Sequence, residues 1–284
     1  MASQRDIRRR IGAVRNIKQI TRAMQFVAAS KLKRAQDSTL AARPYSEKLD
    51  EVLADLASVL DADDHPLLAE RDEGGKRLIV LVTTDRGLAG PLNTNTIRYA
   101  AREITEHPGD LSVVTVGRKG RDAMRRAGVP LEAHFAGFGD RPTFADVLPL
   151  ARLITDDFMA GTYARVDIIY SRFVSTLVQR PEMFQLLPVR ASEDTEGIPG
   201  RQFIFEPGAA TVLEQLVPRY VATRLFQAVL EAKASEESSR MVAMKNATEN
   251  AEDLIDDLTL SYNKVRQANI TREMIEIASG AQAR

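Results

Sequence analysis

The chain has 284 residues, 44% of them hydrophobic and 6% aromatic, and its 39 basic and 39 acidic side chains cancel. That balance excludes a bulk affinity for nucleic acid or for an anionic membrane. The absence of Cys excludes a disulfide framework, a thiol switch and a cysteine zinc site.

The first element is the most telling. Ser3 followed by Asp6 offers side-chain acceptors to the first unpaired amides of a helix, a capping-box-like start. From Gln4 to Gln36 apolar residues fall at Ile7, Ile11, Val14, Ile17, Ile20, Met24, Val27, Leu32 and Ala35. Their mean spacing of about 3.5 residues is the coiled-coil repeat, so the segment needs a partner helix. The helix is expected to continue to about Leu60 with a kink at Pro44. Its last part, with Tyr45, Leu49, Val52, Leu53, Leu56, Val59 and Leu60, suits docking on a sheet. The start of this helix beside Met1 predicts no signal or transit segment. No apolar run approaches the ~18–20 residues of a membrane span, so a cytoplasmic protein is expected.

Asp61 to Lys76, with Pro66 and Gly74-Gly75, reads as a loop. Leu78 to Val82 is a continuous apolar, β-branched run, as in a strand covered on both faces. A loop from Asp85 to Pro91 and a helix near Thr94–Glu106 follow. Next come a strand at Leu111–Val116, a helix at Lys119–Ala127, and a helix near Phe144–Ala160 capped by Thr143 with Asp146. Val166–Phe173 and Met183–Val189 read as further strands. Alternating strands and helices predict a mostly parallel, Rossmann-like sheet over 77–206. Ala191–Gln202, rich in Glu, Ser and Gly, reads as a mobile loop.

Thr211 to Glu214 reads as a capping box opening a last helix from Val212 to Ser279, within a 212–284 domain, with Gly280 as its stop. Unbroken, such a helix would be roughly 100 Å long. Its stretch from Lys233 to Asn250 is poor in large aliphatics, which predicts enclosure by solvent or by another protein rather than by its own core. The two ends also differ in charge. Arg5 to Arg34 holds ten bases against Asp6 alone, while Glu249 to Asp257 holds five acids and no base. Opposite signs suit the 1–60 and 212–284 helices to winding together into one coiled-coil rod around an inserted α/β domain.

Few motifs suggest chemistry. Thr84 to Asn93 follows the first strand, where a nucleotide fold carries its phosphate loop. Its spacing does not match G-x-G-x-x-G, and Pro91 removes an amide a phosphate would want. A loop packed against the helical rod is the better reading. Gly117-Arg118-Lys119-Gly120-Arg121 could cradle an anion, but a turn with solvated charge fits better. His65, His107 and His134 lie far apart and read as surface residues. No cofactor, metal or catalytic constellation stands out. The basic helix lacks the aromatic interleaving of a nucleic-acid arm, and no nucleic acid is expected as a partner.

At both termini the sequence resembles the gamma subunits of F-type ATP synthases. The resemblance is carried by Asp6 to Ile11, Asn16 to Met24, Val27 to Leu32, Asp85 to Leu88, Arg240 to Thr248, Tyr262 to Glu273, Glu276-Ile277 and Gly280-Ala281, in the family's order. It departs at Pro91, where the family has a small residue, and it lacks the cysteine-bearing insertion of chloroplast members. The resemblance implies a non-catalytic central shaft, a long antiparallel coiled coil of the N- and C-terminal helices, rotating inside an alpha/beta hexamer and coupling ion flow to ATP synthesis or hydrolysis. It implies an inserted domain gripping the epsilon subunit and the c-ring, at the cytoplasmic face of a bacterial membrane. It further places Met24, Arg240, Arg266, Gln267 and Thr271 where the shaft meets the catalytic subunits, with Met24 alternatively a seam residue of the coil. A non-rotary coiled-coil adaptor is the competing reading.

Overall fold

The structure is a computed structural model that describes residues 3–57, 66–69, 71, 75–107, 109–189 and 208–282. The expected Ala191–Gln202 loop, His65, Val59, Leu60 and most of the Asp61–Lys76 loop lie outside them. The chain divides into two compact units, Met1–Ala28 with Arg240–Arg284, and Ala29–Ser239. Helix α1 (Gln4–Ala57) and helix α5 (Ala209–Gln282) each contribute to both.

In the larger unit, β1 (Arg77–Val82), α2 (Leu92–Glu106), β2 (Leu111–Val116), α3 (Arg118–Arg126), β3 (Leu131–Phe135), α4 (Phe144–Met159), β4 (Arg165–Phe173) and β5 (Gln179–Leu187) follow in order. The sheet order is β3-β2-β1-β4-β5. The first four strands are parallel and β5 joins β4 antiparallel, through a short connection. β1 is buried along nearly its whole length, as its unbroken apolar run requires. One face, with Leu78, Val80, Val114, Val166 and Ile168, packs with α4 and with Leu49, Leu53, Leu213, Val217, Val221 and Leu225 of the long helices. The other face, with Ile79, Leu81, Val113 and Ile169, is covered by Ala100 of α2 and Met124 of α3.

β3 is absent from the sequence reading. Its five residues do alternate, with Leu131, Ala133 and Phe135 apolar and Glu132 and His134 polar, but the run is short, lies at the sheet edge and is only half-buried, so it does not stand out in the sequence. β5 begins at Gln179 rather than Met183, because pairing with β4 extends through Arg180 and Pro181. The Thr143/Asp146 capping box is formed, with Asp146 Oδ2 accepting from the Thr143 amide at 2.7 Å and from its hydroxyl at 2.8 Å. The Thr211 box is not the start of α5. Val212 N donates to Gly208 O at 3.1 Å, so the helix is already under way when Thr211 is reached. At the other end α5 passes through Gly280 to Gln282.

In the smaller unit α1 and α5 run antiparallel. Gln4 Nε2 donates to Tyr262 OH at 3.1 Å, Lys18 meets Glu252 at 2.8 Å, and Thr248 Oγ1 donates to Thr21 Oγ1 at 2.8 Å. The covered residues of α1 recur at Ile7, Ile11, Val14, Lys18, Thr21, Gln25 and Ala28, by alternating steps of four and three. Those of α5 recur at Met244, Thr248, Ala251, Ile255, Leu258, Tyr262, Val265 and Asn269, with the same steps. The heptad expected from sequence is therefore present.

Its membership differs from the expectation. Ile17, Ile20 and Val27 are 51%, 59% and 55% exposed, and polar or small residues take the neighbouring seam positions. Burying Lys18 and Thr21 is tolerable because each has a partner across the seam. Choosing the most apolar residue in each turn follows hydrophobicity, whereas the seam follows helix geometry. The charge expectation also needs adjusting: Glu252 reaches Lys18, but Glu249, Asp253, Asp256 and Asp257 are exposed.

Candidate functional site

Strand order 3-2-1-4-5 reverses direction between β1 and β4, and it is beyond the carboxyl ends of such strands that α/β sheets bind ligands. Here α5 occupies that place. Ser235 Oγ donates to Ser171 O in β4 at 2.8 Å, Ser238 Oγ to Thr176 O in the β4–β5 turn at 2.7 Å, and Ser239 Oγ to Ala89 O in the β1–α2 loop at 2.7 Å. Gln179 Nε2 reaches Ser238 Oγ at 3.3 Å. Ala234, Ser235 and Ser238 have no exposed surface, and Glu237 has 1%. This corrects the expectation that the Lys233–Asn250 stretch avoids its own core, because its Ala234–Arg240 part is buried. Small side chains there let the helix backbone approach the strand ends, and their hydroxyls satisfy carbonyls that would cost about 1–3 kcal/mol each if buried unpaired.

The loop after β1 is built for packing, not for phosphate. Asn93 Oδ1 accepts from the Thr84 amide at 3.2 Å, and Thr84 Oγ1 donates to Arg86 O at 2.6 Å. Asp85 ties three loops together by accepting from Arg118 N and Gly137 N, both at 3.0 Å. Its packing against a long helix, as the sequence suggested, is made through Ala89.

The Gly117–Arg121 segment has its amides in use. Gly117 N donates to Phe135 O at 2.8 Å, Lys119 N to Thr84 O at 3.1 Å and Gly120 N to Thr83 Oγ1 at 2.8 Å. An anion would find no free donors among these at the start of α3. Gly117 is held at φ +94°, and a Cβ there would lie 2.2 Å from Thr83 O, so its conformation belongs to this close approach. Among the described residues no group of acidic, His or Cys side chains is arranged to hold a metal. His134 Nδ1 lies 3.1 Å from Thr115 Oγ1, and His107 lies beside Glu103.

One charged cluster of the larger unit joins three elements. Asp140, in the loop before α4, meets Lys31 of α1 at 2.7 Å and Lys233 of α5 at 3.8 Å. Lys233 also meets Glu236 at 2.9 Å and Glu237 at 3.5 Å. The hydrogen bond from Lys31 holds the Asp140 carboxyl below its ordinary value, outweighing its partial burial.

The sequence-predicted contact residues fall in the smaller unit. Met24 is half-buried on the flank of the seam. Arg240 is only 9% exposed and has interactions within the chain. Arg266, Gln267 and Thr271 are exposed on α5, and Thr271 Oγ1 donates to Gln267 O at 2.9 Å. Gln267 and Thr271, four apart, share a face that Arg266 flanks. Sequence reasoning missed the exposed apolar stripe of Ile17, Ile20 and Val27, having assigned it to the seam. The signal was available: the stripe has heptad spacing but is offset by one from the register that Ile7, Ile11, Ala28 and Leu32 define. Near the end of α5, Ile270, Met274, Ile275 and Ile277 are also exposed, at 47%, 58%, 59% and 73%.

A family model described as ATP synthase matches residues 3–283. The ATP synthase gamma chain of Dehalococcoides mccartyi is 49% identical over 285 residues, covering 100% of this chain and 99% of the relative. That of Chloroflexus aurantiacus is 49% identical over 288 residues, with the same coverage. Among solved structures, a chain of the Euglena gracilis mitochondrial ATP synthase (OSCP/F1/c-ring, rotational state 3) superposes with a TM-score of 0.70 at 23% identity. It covers 99% of this chain and 94% of that one. A chain of the Tetrahymena thermophila mitochondrial central stalk and c-ring gives 0.61 at 24% identity, covering 80% and 99%. These two likenesses speak for the fold.

Proposed function

The chain belongs to the ATP synthase gamma-chain family, and from that premise we propose that its coiled coil turns inside an alpha/beta hexamer as a shaft without catalytic residues. The complex of which it is a subunit makes ATP; this chain selects which catalytic site is open, a population shift imposed by contact. The observation that carries the reading is the outward apolar stripe of Ile17, Ile20 and Val27 on a helix whose seam is already closed. Apolar side chains that the chain's own partner helix does not cover call for a cover from outside. The exposed basic residues Arg8, Arg9, Arg15 and Arg22 on the same helix suit acidic loops of that cover.

Met24, Arg240, Arg266, Gln267 and Thr271 are the proposed contacts with the alpha/beta hexamer. Of these, exposed Arg266, Gln267 and Thr271 are free to reach a partner, whereas Arg240 would offer only the edge of its guanidinium. The 77–206 domain is proposed to hold the epsilon subunit and the c-ring. No described helix is long and apolar enough to cross a membrane, and attachment at the cytoplasmic face is proposed to run through the c-ring. The absence of catalysis by this chain is supported by the seating of Ser235, Ser238 and Ser239 where an α/β sheet would bind a nucleotide.

Mixing the purified chain with alpha and beta subunits tests the reading. The expected result is a complex that co-elutes, hydrolyses ATP and rotates a probe fixed to this chain, while the chain alone gives no heat with ATP. Failure to join the hexamer refutes it and favours the adaptor, and hydrolysis by the chain alone refutes a shaft without catalytic residues.

A further inference from the structure

A helix that merely lay on the strand ends would need only small side chains at the contact. Alanine would suffice, and van der Waals contact between smooth surfaces resists sliding and rolling poorly because it has little direction. Hydrogen bonds do have direction. The hydroxyls of Ser235, Ser238 and Ser239 reach three separate points of backbone, in β4, in the β4–β5 turn and in the β1–α2 loop. Residues three and four apart on a helix span about 6 Å along its axis and about 100° around it. Anchors spread in both directions oppose translation of α5 along its axis and roll about it, which a single bond would permit as a pivot. The sites are 0%, 0% and 6% exposed, so water does not compete for the hydroxyls.

We propose that Ser235, Ser238 and Ser239 form a torsional clamp, positioning residues that make the sheet domain and helix α5 turn as one body. The inference rests on the rotor reading above. In a rotor, torque entering at the sheet domain passes to the long helices through their apolar packing on the sheet and through this directional joint, and a joint that rolls stores part of the stroke as twist instead of passing it on.

The test uses the assembled complex with the hexamer fixed to a surface. The chain has no Cys, so Arg125→Cys on the exposed part of α3 takes a single probe on the sheet domain. The angular variance of that probe is recorded while rotation pauses at limiting ATP, together with the unloaded hydrolysis rate and the melting temperature of the complex. With Ser235→Ala, Ser238→Ala and Ser239→Ala combined, the variance should rise roughly twofold or more as three directional bonds are lost. The unloaded hydrolysis rate should stay at the parental level. Each single change should give an intermediate variance. Parental variance in an assembled triple variant overturns the clamp, and so does a lowered melting temperature with parental variance, which is the mark of a merely structural contact. If the triple variant does not assemble, Ser238→Ala decides: raised variance supports the clamp and parental variance overturns it. Failure of the parental complex to rotate at all overturns the rotor reading instead, and the clamp with it.

Discussion

Ile11→Ala and Ile20→Ala are the sharpest pair of substitutions for this chain, because sequence pattern treats the two residues alike and the structure does not. Both lie on α1 of the smaller unit, but Ile11 is 9% exposed and Ile20 is 59% exposed. Each change removes three carbons, each worth ~0.8 kcal/mol when fully buried. For Ile11 the transfer term is about 2 kcal/mol, and a cavity beside the seam raises the cost into the ~2–5 kcal/mol range seen for such truncations. For Ile20 the transfer term is at most about 1 kcal/mol, and solvent fills the space. The better helix propensity of Ala returns a few tenths, leaving a loss of about 0.5 kcal/mol or less. Urea unfolding of the purified chain, followed by its helical circular dichroism, should separate the two by about 2 kcal/mol. Competition with parental chain for alpha/beta hexamers should give the opposite order, with Ile17→Ser and Ile20→Ser together losing more than Ile11→Ala. Equal destabilisation by both alanines would place Ile20 in the seam after all. Unimpaired assembly of the double serine variant would remove the outward stripe as a contact.

Met24→Lys should impair coupling more than folding, since a half-buried flank position lets the ammonium reach outward to an acidic loop. Normal ion pumping per ATP in the assembled complex would contradict this. Arg266→Ala should lower turnover in synthesis and hydrolysis without blocking assembly. Gln267→Ala added to it should cost less than the two single effects combined if both serve one contact, and strict additivity would mark a passive face. The acid limit of the larger unit should involve Asp140. Its folded pKa is depressed, so its contribution is complete above the ordinary carboxylate value and is lost as pH falls through the depressed one. Asp140→Asn should therefore flatten the fall in stability below about pH 4 while lowering stability at neutral pH; an unchanged acid slope refutes the assignment.

The signals legible in the sequence were those whose physics is local. A five-residue apolar run forces a strand with both faces covered, and β1 is that strand. A Thr and an Asp three apart cap a helix, and α4 begins there. What was not legible depended on a second segment. β3 carries a period-two pattern, LEAHF, but five residues at a sheet edge stand out as a strand only once β2 pairs with them. The seam passes through Lys18 and Thr21 because Glu252 and Thr248 await them more than two hundred residues later. The burial of Ser235 and Glu237 was hidden for the same reason: a polar, small-residue helix looks solvated until its acceptor carbonyls are known.

That last case links the fold to the work proposed for it. A parallel sheet of this order leaves a crevice at the carboxyl ends of β1 and β4, and in a binding protein the crevice stays open for a ligand. Here the chain supplies its own occupant, a turn of α5 whose hydroxyls complete the carbonyls around it. Filling the crevice makes it a contact between the strand ends and α5. The glycine turn before α3 points the same way, because its amides serve Phe135, Thr84 and Thr83 rather than a phosphate. The strand ends of this sheet are thus in contact with a helix of the same chain. On the other side of the molecule's chemistry, α1 keeps aliphatic side chains outside a seam that already has its partners. Rigid internal joints combined with an uncovered outer face are what a part that turns against its surroundings requires.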